Sequence, residues 1–222
     1  MCNLYSVTKG QQAIREFLRA TQDRTGNLPP LPGVFPDTAA PVVRVVPGAE
    51  GVAGSRELTM MRWGMPSPAF VLKNRKTDPG VTNIRNVKSP HWRRWLGTQH
   101  RCVVPFTSFS EYEDQGGRKV PVFAGLWTSW TSVRKVKEGE VTADLFGFLT
   151  SEPNAEVRRV HPKAMPVILT EPAEIDLWLT GPWEAASALQ RPLPDGALRI
   201  VAEGAREDGG EAAAEPAQPR LL

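Results

Sequence analysis

Four apolar runs decide how this chain folds: RCVVPF (101–106), SFSEYE (108–113), VPVFAGLW (120–127) and DLFGFLT (144–150). Each is short, rich in Val, Phe or Leu, and bounded by polar or turn-forming residues, the pattern of a β-strand. No helical segment alternates regularly with them, which argues against a parallel sheet of βαβ units. Working outward, VVRVV (42–46) and RELTMMRWGM (56–65) read as two further strands joined by the turn PGAEGVAGS (47–55). AMPVIL (164–169) reads as another strand and ALRIV (197–201) as a last short one.

Between these runs the helical signals are brief. Residues 8–22 place Ile14, Phe17 and Leu18 at helical spacing and read as one amphipathic helix. SPHWRRWLGT (89–98) predicts a short helix with Ser89 as N-cap, Pro90 at its first position and Gly97 as its stop, with Trp92 and Trp95 on one face. Pro172 opens a third helix through AEIDLWL (173–179). The stretch RTGNLPPLPGVFPDTAAP (24–41), with five prolines and two glycines, is expected to be an irregular arm. The expected fold is therefore α+β: a single domain over 1–202 with a curved, barrel-like, mainly antiparallel β core and short helices around it. Residues 203–222 form an acidic, low-complexity tail that is expected to be disordered.

Composition narrows the function. No apolar run approaches the roughly 18 residues of a membrane span, and the first twenty residues lack a signal-peptide core. The expectation is a soluble, cytoplasmic monomer. Two cysteines, Cys2 and Cys102, do not make a disulfide framework, so both are expected as thiols. The net charge of +3 conceals an uneven distribution, because Glu203, Glu207, Asp208, Glu211 and Glu215 outnumber Arg206 and Arg220 in the tail. The rest of the chain is correspondingly more basic, which favours a polyanionic partner. No P-loop, dinucleotide fingerprint or zinc-ligand spacing is present, so no cofactor and no metal are expected.

Cys2 follows Met1 directly, and removal of Met1 would leave an α-amine and a thiol on one residue. His161, in RRVHPKAMPVIL (158–169), is a candidate proton-transfer group or an ordinary structural histidine. Glu111 shares one face of SFSEYE with Glu113 and Phe109 if that run is a single strand. It is then either a carboxyl of raised pKa or a solvent-facing one. Between Lys73 and Arg101 stand Lys73, Arg75, Lys76, Arg85, Lys88, Arg93, Arg94 and Arg101 against one acid, Asp78. With Phe70, Trp92 and Trp95 interleaved, this stretch suits phosphates and unstacked bases, although the tryptophans equally suit a buried helix face.

In order and spacing, the Met-Cys start, Trp63-Gly64, TNIRN (82–86), SEY (110–112), AGLW (124–127), FLT (148–150) and VHPKAMPVIL (160–169) resemble the SOS response-associated peptidase (SRAP) family of abasic-site processing proteins. The resemblance implies covalent capture of abasic sites in single-stranded DNA through the N-terminal cysteine, with lyase and autopeptidase activity as further possibilities. It implies Cys2 as nucleophile, Asn83 as the group orienting it, Arg85 as a phosphate contact, Glu111 and His161 as acid/base residues, and Thr150 as a polar partner in the pocket. The DNA-binding set expected around them is Lys73, Arg75, Lys88, Arg93, Arg94 and Phe70. The protein would be nucleoid-associated when bound. Asn3 and Leu4 stand where the family commonly has Gly-Arg, and Val87-Lys88 stands where it has Glu-Thr. MPSPAF (65–70) replaces a more aromatic loop, and Lys163 replaces an arginine. Two rival classes are an N-terminal-nucleophile cysteine hydrolase, which shares Cys2 and His161, and a noncatalytic single-strand-binding module.

Overall fold

In the computed structural model, residues 2–48, 54–109, 112–114 and 120–200 are described, with only the backbone described at 112–114, 199 and 200. The N-terminal half runs β1 (Tyr5–Val7), α1 (Gln11–Leu18), β2 (Gln22–Asp23), β3 (Leu31–Val34), β4 (Ala39–Val46), β5 (Ser55–Trp63), α2 (Ala69–Leu72), β6 (Asn83–Ile84) and α3 (Pro90–Arg93). A 3-10 turn at Thr98–His100 leads into β7 (Arg101–Pro105), β8 (Ser108–Phe109), β9 (Tyr112–Asp114), β10 (Val122–Val133) and β11 (Glu140–Ser151). The chain finishes with α4 (Ala155–Val160), β12 (Met165–Pro166), β13 (Ile168–Leu169), α5 (Pro172–Thr180), α6 (Trp183–Ala186) and β14 (Leu198–Ile200).

Strands β11, β10, β7, β4 and β5 pair antiparallel in that order, and β5 then pairs parallel to β11. The sheet therefore closes into a five-stranded barrel, and closure removes the open edges that a sheet of this length would otherwise present. A second antiparallel sheet, in the order β14-β9-β8-β1-β3, packs against it. β1 is buried at every position, and its Tyr5 ring lies edge-on to Trp63 at 5.2 Å and to Phe123 at 5.6 Å. Phe106 stacks on Phe123 at 4.0 Å. The α+β, barrel-like, mainly antiparallel expectation matches this architecture.

Four local expectations need correction. The first helix spans only Gln11–Leu18, because Arg19 turns left-handed (φ 53°) and its N–H caps the carbonyls of Arg15 and Glu16. The 24–41 arm contains β3 and the start of β4. Pro32 is tolerated because β3 is an edge strand, and Pro41 because β4 meets β7 only at Val43 and Arg44. The helix at 90 begins on Pro90 as predicted but ends at Arg93, and the Ser89 side chain makes no capping bond. Finally, SFSEYE is not one strand: Phe109 pairs with Tyr112 and Ser108 with Glu113, so the run doubles back on itself. Period-two alternation cannot distinguish a straight strand from a hairpin of the same length. Glu111 lies outside the described residues, as does the tail 203–222.

Between β5 and β6 the chain makes an excursion that is tied at its neck. Met65 and Val81 exchange backbone hydrogen bonds of 2.9 and 2.8 Å. Behind them Arg134, its side chain 3% exposed, donates to the carbonyls of Gly64 and Asp78 and pairs with the Asp78 carboxylate at 3.6 Å. Asp78 in turn accepts from the N–H groups of Ser67 and Gly80. Gly64 (φ 140°) and Gly80 (φ 73°) are required here, because a Cβ at either would collide with the Arg134 guanidinium. Asp37 joins the cluster through two bonds from Arg62 and ion pairs to Arg134 and Lys135.

Burial alone would raise the Asp37 carboxyl, but hydrogen bonds and charge from Arg62, with Arg134 and Lys135 behind it, outweigh that and hold its pKa below the ordinary value. A depressed carboxyl contributes stability that is fully present above its unfolded pKa of about 3.9 and is lost as pH falls through the folded value. Urea midpoints measured from pH 7 down to pH 2 are expected to fall more steeply on the acid side for the native protein than for Asp37→Asn. Parallel curves would show that Asp37 does not contribute to acid sensitivity.

Candidate functional site

β6 delivers the first element of the site. It pairs parallel with β11, Asn83 opposite Phe148 and Ile84 opposite Leu149, and this register fixes where the Asn83 amide points. Asn83 Nδ2 donates to the Cys2 carbonyl at 2.9 Å and to Thr82 Oγ1 at 2.8 Å. Its Oδ1 is buried and, among the described residues, has no partner. Cys2 is 4% exposed, and its thiol donates to the Leu4 carbonyl at 3.2 Å. The N-terminal cysteine is thus seated in the fold rather than left on a frayed end. Cys102 is a different case: burial pushes its thiol well above the ordinary range, with Arg44 only weakly opposing, so it is suited to packing and not to nucleophilic chemistry.

Thr150 is buried near the end of β11 and pairs with Pro166 of β12. The Gln190 amide donates to both the Thr150 carbonyl (3.0 Å) and the Arg85 carbonyl (2.8 Å), locking these two positions together. Arg85 itself donates to the Ser151 carbonyl and to Glu152. Its guanidinium is half exposed and already in an ion pair, so a phosphate there would replace Glu152. His161 ends α4, its N–H donating to the Val157 carbonyl at 2.7 Å, and stands just ahead of β12. Cys2, Asn83, Arg85 and Thr150 are therefore joined by hydrogen bonds and strand pairing, whereas His161 is placed only by its position between α4 and β12, the strand that pairs with Thr150.

The basic stretch does not form one continuous surface. Phe70, 80% exposed, stands on α2 within the tied excursion, with Lys73 and Arg75 exposed beside it. Lys88 and Arg93 instead line a separate groove near α3. Arg94 lies over the Trp95 ring at 4.9 Å. Of the two readings open for Trp92 and Trp95, the buried face holds, at 7% and 3% exposed, and one member of the basic stretch is corrected: Arg101 is 1% exposed. Helical periodicity shows which residues share a face but not whether that face is covered.

Three features escaped the sequence reading. Gln190 sits in a proline-rich stretch with no motif to mark it. Arg134 belongs to a run of surface-like basic residues, and only the two glycines it packs against hinted at a close approach. Leu4 and Phe35, 39% and 50% exposed, both cover Gly33 and form an apolar patch two residues from Cys2.

The sequence pattern of the SOS response associated peptidase (SRAP) family matches residues 1–202. The chain belongs to that family. No curated protein is a significant match to this SRAP chain. Among solved structures it resembles a protein from Bordetella bronchiseptica at 22% identity and a TM-score of 0.62, covering 89% of this chain and 97% of that one. A protein from Bacteroides thetaiotaomicron matches at 18% identity and 0.61, covering 89% and 90%, and a phage-related protein of Bordetella bronchiseptica at 18% and 0.59, covering 89% and 92%. At these identities the likeness is one of fold. Among the described residues, no helix of the SRAP chain is long and apolar enough to cross a membrane.

The bond from Asn83 to the Cys2 carbonyl generates a direct expectation. Asn83→Ala should lose about 1 kcal/mol of stability, the usual net worth of one such hydrogen bond. It should also speed amide hydrogen exchange at Asn3 and Leu4 while leaving the barrel strands unchanged. Unchanged exchange at these two amides would show that Asn83 does not anchor the N-terminal segment.

Proposed function

We propose that this protein captures abasic sites in single-stranded DNA by a covalent bond to Cys2, once Met1 has been removed. The observation that supports this best is the seating of Cys2 against Asn83, whose Nδ2 holds the Cys2 carbonyl and whose buried Oδ1 remains an unused acceptor. Asn83 lies 81 positions away in sequence, yet its amide is held against the Cys2 main chain; an α-amine freed at Cys2 that donated to its Oδ1 would be oriented with its lone pair outward.

The chemistry follows from the two nucleophiles of an N-terminal cysteine. The ring-opened abasic sugar carries an aldehyde at C1′. The α-amine, with a reference pKa of about 7.7–8.0, is partly unprotonated near neutrality and adds to that carbon. The carbinolamine loses water to give an imine. The thiol, of reference pKa about 8.5, then adds its sulfur to the same carbon while its proton passes to the nitrogen, closing a five-membered thiazolidine. One water leaves overall, and nothing is oxidised or reduced. His161 would assist opening of the sugar and Glu111 would carry protons to and from the nitrogen and the departing hydroxyl, steps that commonly contribute about 10²–10⁴-fold each. Thr150 would contact the bound sugar. Arg85, released from Glu152, would contact a phosphate, with Lys73 and Arg75 on the excursion holding the strand and Phe70 stacking on a base. An imine that fails to close its ring permits β-elimination, which would appear as strand cleavage.

In this reading the protein acts as a monomer on DNA-damage intermediates, without cofactor. Incubation of Met1-free protein with single-stranded DNA, with and without an abasic site, is the test. The expected product is a heat-stable conjugate on a denaturing gel, formed only with abasic DNA and absent for Cys2→Ala, whose intact mass equals protein plus DNA less one water. A conjugate formed equally by Cys2→Ala would refute the mechanism. A shift lost on denaturation would instead indicate simple binding, and turnover of a peptide or amide through a labile acyl-enzyme would indicate the hydrolase.

A further inference from the structure

A groove of about 990 Å³ lies between α3 with its following 3-10 turn and the α5–α6 corner. Its base is Arg101, 1% exposed. Arg101 Nε donates to the Leu96 carbonyl at 2.8 Å, and Nη1 donates to the carbonyls of Trp178 at 3.0 Å and Gly181 at 2.8 Å. All three acceptors are neutral. Among the described residues Arg101 has no ion pair, whereas Arg134, the other deeply buried arginine, pairs with both Asp37 and Asp78. The Arg101 guanidinium is flanked by the rings of Trp178 and Trp183 at 5.5 and 5.4 Å, which offset part of its desolvation. The remaining nitrogen, Nη2, makes none of these bonds, and Arg101 is one of the residues that line the groove.

A buried charge without a counter-charge is costly, and an anionic ligand would supply the missing partner. The groove supplies the rest of such a site. Lys88 and Arg93 stand exposed on its wall, and Glu184 is the one carboxylate lining it. Gln190 also lines the groove and bridges the carbonyls of Arg85 and Thr150, so the groove adjoins those two positions of the candidate site.

We propose that this groove binds a phosphate group, with Arg101 as the donor at its floor and Lys88 and Arg93 at its rim. The planar, weakly hydrated guanidinium suits a phosphate oxygen, and two further cations outweigh the single carboxylate. Two sources carry that chemistry: a phosphodiester of the DNA strand running on from Arg85, or a free phosphate-bearing small molecule. Only the first source rests on the reading of the Cys2 site.

The test is calorimetric titration of the full chain, as Cys2→Ala, with inorganic phosphate at constant ionic strength. A saturable isotherm is expected. The double substitution Lys88→Ala and Arg93→Ala, both on exposed side chains, should weaken it by about tenfold or more, the loss of at least one charge-assisted contact. Arg101→Lys keeps the charge but loses the fork and should weaken binding as well; if that variant fails to fold, the rim variant still decides. A second arm repeats the titration in the presence of an intact oligothymidine. Displacement of phosphate by the oligonucleotide identifies a strand phosphate as the occupant, and undiminished binding identifies a free one; either supports the site. No saturable binding to the native groove, or equal binding by the rim variant, overturns it. Because Cys2→Ala and undamaged DNA are used, the outcome is independent of whether covalent capture occurs.

Discussion

The parallel contact between β5 and β11 is the constraint from which the rest of the molecule follows. It spans only Arg62 and Trp63 against Leu145 and Phe146, yet it closes the barrel. Just beyond it, Gly64 donates to the Phe146 carbonyl at 2.7 Å and the chain departs from the sheet. It returns to the same edge of β11, where Phe148 donates to the Thr82 carbonyl and Asn83 takes its place opposite Phe148. The excursion bearing Phe70, Lys73 and Arg75 thus has both feet on one strand. Its lower end is held by paired backbone bonds and by the buried Arg134–Asp78 contact, so its exposed side chains project from a fixed base.

The same strand sets the candidate site. β11 carries Thr150 at one end of the segment that receives β6, and Asn83 reaches across from there to the Cys2 carbonyl. An N-terminal residue ordinarily frays because nothing offsets the entropy of ordering it. Here the buried Cys2, the bond from Asn83 and the wholly buried β1 that follows supply that offset. The requirement is stringent, since a one-residue slip of β6 on β11 would turn the Asn83 side chain to the opposite face of the sheet.

How much of this could be read from the sequence depends on the range of each interaction. Runs such as VPVFAGLW and DLFGFLT announced their strands because burial on both faces leaves a near-continuous apolar pattern. The pairing that closes the barrel is invisible in that pattern, because it joins residues more than eighty positions apart. SFSEYE shows the opposite failure. Its alternation is real, but the two ends of the run pair with each other, which changes which residues share a face, and the run contains no glycine or proline to signal it. Cys2, Asn83, Arg85 and Thr150 were singled out by resemblance, and the structure joins them by hydrogen bonds and strand pairing; Gln190, which completes that linkage, has no local signal at all. Trp92 and Trp95 illustrate a further limit, since the same helical spacing describes a stacking surface and a buried face equally well.

The two buried arginines show how one electrostatic problem receives two different treatments. Arg134 is neutralised within the protein by Asp78 and Asp37, and the outcome is a fixed loop neck. Removing either partner would strand a charge at low dielectric, which is why such clusters behave as a unit. Arg101 is satisfied only by carbonyl dipoles and two indole rings, with Glu184 too distant to form an ion pair. Burial accordingly lowers its pKa, with Glu184 opposing the shift. Carbonyl oxygens stabilise the cation without cancelling its charge, so the field of Arg101 still reaches the groove above it, where the field of Arg134 is largely quenched by its partners. A fold that needed only a structural anchor at the α5–α6 corner could use a neutral donor to the same carbonyls. A full charge there, beside Lys88 and Arg93, is most economically explained by an anion that approaches from outside.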